Sequence, residues 1–191
     1  LQWDVARQTA MMTALSGNSS EPNVDPASRV GIERLIPIAD LHVRNHTGLD
    51  TAPAGKEPHV VVVNRSMWVH HTLESYKPLF NELATSLSGS PINTSDALDI
   101  SQDDPMMNMM ASLNKMMAPA MMGMSVGTMV GQLALKSFGQ YDLPLPREPR
   151  DQMLIVASNV DEFANDWSIP VDDMRMWVLI HELTSHAEIG R

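Results

Sequence analysis

Between Lys115 and Lys136 lie twenty residues without a formal charge, 116–135, enough to cross a bilayer as one helix. Such a stretch must be taken out of water, either in lipid or in a protein interior. Gly123, Gly127 and Gly131 recur every fourth residue, a spacing that lets helices pack closely in membranes. Pro119, Ser125, Thr128 and Gln132 dilute the apolarity, and the same small residues also bring two helices of a water-soluble fold together. The expectation is therefore a buried helix of a soluble domain. Neighbouring methionines such as Met121 and Met122 point about 100° apart on a helix and do not converge on a copper ion. Met106, Met110, Leu113 and Met117 instead form one stripe, which predicts core packing.

The chain has 191 residues, one domain or at most two small ones. It contains no cysteine, which excludes disulfide scaffolds and every thiolate site. Net charge is -10, and Lys and Arg nowhere cluster, so nucleic acid and anionic membrane surfaces are poor partners. Sixteen methionines against 5% aromatics predict a core of aliphatic and thioether groups. The chain starts at Leu1 and stops at Arg191, just past its most chemical segment, and is expected to be part of a longer one. A cytoplasmic location is expected.

Helical spacing marks residues 3–15, and Asp25 or Ser28 can cap a second helix to about His46. Glycines and prolines then punctuate a loop to Pro58. The valines at 60–63 predict a strand, followed by a helix capped at Ser66, running to about Leu87 and kinked at Pro78. Pro105 suits the first turn of a methionine-rich helix, and Pro119 starts or kinks another. Residues 153–156 predict a second strand, with Asn159 capping a short helix to Asn165. After Pro170 a long helix carries two aspartates in its first turn. The fold class expected is mainly α with two short strands. Residues 1–88 form an N-terminal helical part, 89–104 a mobile linker, and 105–191 the Met/Gly-rich and motif helices. The two parts are expected to make one compact domain.

His42, His46 and His59 read as polar surface. His70 pairs with Glu74 at i,i+4, a usual helix-surface contact. The run His181-Glu182-Leu183-Thr184-Ser185-His186 differs, because it sits on a helix behind the apolar segment 177–180. Two imidazoles beside a carboxylate can bind zinc, with the glutamate taking a proton from metal-bound water. In the usual HExxH spacing the ligands stand about 40° apart. Here i+4 is Ser185, and His186 at i+5 diverges from His181 by about 140° unless the helix bulges. The bland alternatives are an i,i+4 pair of Glu182 with His186, and a core histidine at 181 on a stripe with Met174, Val178 and Ser185.

The HExxxH spacing resembles the HELLGH motif of the dipeptidyl-peptidase III family, over these six residues alone. A wider resemblance covers nearly the whole chain. Trp3-Asp4 with Arg7-Gln8, then VVNRSMWVHHTLESYKPL, GQYDLPLP at 139–146, Ile169-Pro170, and the helix from Asp173 through Trp177-Val178 to His181-Glu182-Leu183-Thr184 carry it. Together they resemble a bacterial zinc-dependent, metalloprotease-like hydrolase family. That family is largely actinobacterial, was once filed as a domain of unknown function and is associated with coenzyme F420 gene sets. The resemblance implies a mostly helical zincin-like fold and metal-activated water attacking an amide bond of a peptide or small amide. It implies His181 as first zinc ligand and Glu182 as catalytic base. The family pattern expects the second ligand at 185, where this chain has Ser185, and the third downstream. The metal ligands expected within this chain are His181 and His186. The alternative function is a metal-free relative acting as a binding or assembly scaffold.

Overall fold

A computed structural model describes residues 1–18, 20–54, 56–89, 105–143 and 150–190. Their elements run in the order α1 (Trp3–Ala14), α2 (Pro26–Thr47), β1 (His59–Val63), α3 (Arg65–Gly89), α4 (Pro105–Ala134), β2 (Gln152–Val156), α5 (Ala157–Asp166) and α6 (Val171–Ile189). The fold is mainly α with two short strands, as the sequence predicts. Most of the expected linker, residues 90–104, lies outside the described residues.

Local chemistry explains most boundaries. Asp25 caps α2 by accepting from the Ala27 N–H at 3.3 Å, and Gly48 ends it with φ 72°. The start of α3 is capped two residues earlier than Ser66 implies. Asn64 Oδ1 accepts from Met67 N at 2.9 Å, and the Glu21 carboxylate accepts from Arg65 N and Ser66 N. Asn159 is not a cap either. It lies buried inside α5, donates to the carbonyls of Ala134 and Ser137 at 2.9 and 2.7 Å, and accepts from Arg65. It thereby ties the end of α4 to α5 and α3.

The methionine helix is one element with Pro119 inside it, and among its described residues one face is packed. That face carries Gly123, Val126, Gly127, Val130, Gly131 and Ala134. A Cβ at Gly127 or Gly131 would come within 3 Å of α1 atoms, and one at Gly123 within 3 Å of the Gln2 carbonyl just before α1. Helix α1 answers with its own row of buried small residues four apart, Ala6, Ala10 and Ala14. The stripe expected in the core is instead exposed: Met106 by 73%, Leu113 by 51% and Met117 by 49%. The Met110 side chain lies outside the described residues. The reason is that the glycine face admits a helix backbone and wins the contact, so the bulkier face turns outward. Among the described residues no helix is long and apolar enough to cross a membrane.

Strands β1 and β2 pair in parallel, from His59 with Gln152 to Val63 with Val156. Alternation of side chains sends Val62, Met153 and Ile155 into a core shared with α2, α5 and α6. Val63, Leu154 and Val156 enter a second core with Trp68, Val69 and Tyr76 of α3 and Val126 and Val130 of α4. Two short strands thus serve both cores.

Candidate active site

The chain leaves α4 through a turn at 138–142 that several elements hold at once. The Val156 N–H donates to the Phe138 carbonyl at 2.8 Å, and Gly139 bridges antiparallel to Ile155. Asp142 Oδ2 accepts from the N–H groups of Phe138 and Gly139 at 2.6 and 3.1 Å. The buried Trp68 indole donates to the Gly139 carbonyl at 2.7 Å, and the Tyr76 hydroxyl donates to Leu143 O at 3.1 Å. These bonds satisfy polar backbone that the sheet and helices leave over.

Helix α6 closes the turn from the other side. Glu182, 1% exposed, accepts from Gln140 N at 2.7 Å and Tyr141 N at 3.0 Å on Oε2. A Cβ at residue 139 would collide with the Glu182 carboxyl group, so the turn needs glycine there. His186 is also buried, and its Nδ1 lies 2.6 Å from the Tyr141 hydroxyl. Glu182 and His186 stand one turn apart on the face of α6 that meets the turn.

His181 faces outward. Its side chain is 44% exposed and stacks on Trp177, with ring centroids 5.6 Å apart. Its Nδ1 lies 3.4 Å from Glu182 Oε1. That contact holds the imidazole pKa above its ordinary value, against a smaller opposing effect of burial. Burial pushes the Glu182 carboxyl up, and nearby Asp142 adds to this. The bonds from His181, Tyr141 and Gln140 only partly offset it. The base of α6 is fixed by Arg175, whose guanidinium grips Asp161 of α5 at 2.7 and 2.8 Å.

Each residue singled out in the sequence thus has a place. α6 is α-helical from Val171 to Ile189 with no break at Glu182–His186. Glu182 meets both histidines' surroundings, but His181 looks out and His186 looks into the 138–142 turn. No group of three or more His, Cys, Asp or Glu able to hold a metal occurs among the described residues. Tyr141, which engages His186 across 45 positions, was given no role by the sequence reading. Its only sequence signal is its place in the Gly-Gln-Tyr-Asp run after a helix. His70 and His71 lie on α3, and their rings meet edge to face.

The family described as "Zincin-like metallopeptidase" matches residues 1–189. No protein of curated function matches the chain. Among solved structures, the chain is similar to the crystal structure of "a putative hydrolase with a novel fold" from Chloroflexus aurantiacus. The TM-score is 0.67 at 16% identity, over 99% of this chain and 53% of that one. This chain therefore spans about half the length of that neighbour, with which it shares the fold.

Proposed function

Because the chain belongs to the zincin-like metallopeptidase family, we propose that it is hydrolase-like and acts on a peptide or small amide at the outer face of α6. The observation that carries this reading is the double duty of one carboxylate. Glu182 accepts from the turn's backbone N–H groups on Oε2 and faces the exposed His181 imidazole with Oε1. A side chain as buried as Glu182 does not touch an attacking water, so the catalytic group is His181 and Glu182 positions it. The imidazole takes a proton from water as the oxygen bonds to the amide carbon. It then returns that proton to the amine as the carbon–nitrogen bond breaks.

Zinc, the metal that the family's name implies, needs three protein donors and an open fourth position. The described donor set does not fit it. His181 and His186 diverge by about 140° on an unbroken helix. Ser185 is not a usual zinc ligand, and His186 is occupied by Tyr141. The same divergence favours the second reading, a metal-free relative that binds without cleaving.

The test uses full-length protein purified without chelators. Metal content is measured together with turnover of a fluorogenic peptide amide. The expected result is turnover without stoichiometric zinc. His181→Ala should lower it about 10²-fold or more, as general-base loss does. One zinc per chain that disappears in His181→Ala would overturn the metal-free assignment. Absence of turnover from every amide tried would leave the binding reading in its place.

A further inference from the structure

The chain is poor in aromatics, with three Phe, four Trp and two Tyr, yet four of these nine gather beside α6. Phe138, Phe163 and Trp177 line one cavity with Ile169, Asp173 and Met174. Trp167 stacks on Phe163 from outside, with centroids 5.7 Å apart. Phe138 and Phe163 meet edge to face at 5.2 Å and form a rigid wall. The cavity measures about 410 Å³, within the range of small-ligand sites. Trp167 and Trp177 are 69% and 57% exposed, an unusual outlay of a residue type enriched at recognition surfaces.

The cavity adjoins the candidate site at both ends. Phe138 precedes Gly139, the residue on which the Glu182 carboxyl rests. Trp177 forms one wall of the cavity and carries His181 stacked on its ring. A peptide whose amide lies at His181 therefore has an apolar recess within one side-chain length. Asp173 contributes the cavity's one charge, and it forms no ion pair among the described residues. A carboxylate at an apolar recess opposes an acidic side chain twice, by repulsion and by desolvation.

We propose that this cavity is the side-chain pocket of the α6 site. It takes an aromatic or branched aliphatic residue of a peptide and rejects an acidic one. The inference rests on the outer face of α6 being the working face.

The test is direct binding to full-length protein carrying ¹³C-methyl labels at Ile169 and Met174. The probes are the N-acetyl amides of phenylalanine, leucine, glycine and glutamate. Saturable methyl shifts are expected with the phenylalanine and leucine probes, and none with the glycine and glutamate probes over the same range. Trp177→Ala, at an exposed position, should weaken the phenylalanine probe about tenfold, the loss of one aromatic wall. Asp173→Lys should admit the glutamate probe. Equal shifts with all four probes, or none with any, overturn the pocket. Apolar binding without amide turnover supports the pocket and counts only against the hydrolytic reading. Turnover blind to the side chain, with both methyl signals unmoved, overturns the pocket and leaves the hydrolytic reading standing.

Discussion

A buried carboxylate bonded to two backbone N–H groups has its proton pulled in opposite directions, and at Glu182 burial prevails. With the pKa raised by folding, the folded state binds this proton more tightly than the unfolded chain does. The contribution to stability is full below the ordinary carboxylate range and is lost as pH rises through the raised value. One such proton gives a slope of at most about 1.4 kcal/mol per pH unit. Glu182→Gln has nothing to titrate, so urea denaturation across the mildly acid to neutral range should show a flatter profile than the parent. An unchanged slope would assign the pH dependence to other groups. Gly139→Ala should cost about 1–3 kcal/mol by overpacking, seen as a lower Tm, because its Cβ lands on that carboxyl group. The His-Glu pair at 181–182 was legible in the sequence because its residues are neighbours. The Tyr141 partner of His186 was not, because no periodicity links positions 45 apart.

At the scale of helices, the informative spacing was four and the misleading one was a stripe. Glycines at 123, 127 and 131 announced a close helix neighbour, and α1 supplies it with its row of alanines. The stripe through Met106, Leu113 and Met117 has equally good helical spacing, but spacing gives a face and not its partner. A helix apolar on two sides can satisfy only the side whose shape admits a neighbour. Gly127→Ala should therefore cost about 1–3 kcal/mol. Its Cβ would press on the Ala6 carbonyl and on Thr9. Hydrogen exchange should show the amides of α1 losing protection before those of α6. Met121→Ala, on the exposed face, should change stability by no more than about 0.5 kcal/mol. If the two substitutions cost the same, the glycine row is not the packing determinant. The caps at Ser66 and Asn159 were misread because Glu21 and the ends of α4, remote in sequence, supply the competing bonds.

Across the whole molecule, the two strands make the cores interdependent. Ile155 belongs to one core and its neighbour Leu154 to the other, on a ladder two strands wide. Leu154→Ala and Ile155→Ala should each cost about 2–5 kcal/mol. Either should lower a single transition seen alike by far- and near-ultraviolet circular dichroism. Separate melting of two halves in either variant would show that the cores are independent. The valine run at 60–63 and the apolar run at 153–156 made both strands legible, but a parallel pair joined across some ninety positions left its register unreadable. The turn at 138–142 adds an order of events. Its Gln140 and Tyr141 N–H groups find their acceptor 42 and 41 residues later, at Glu182. On a translating ribosome those residues are some seconds apart. Until Glu182 has been made those two N–H groups lack this acceptor, and the turn becomes part of the interior when α6 brings it.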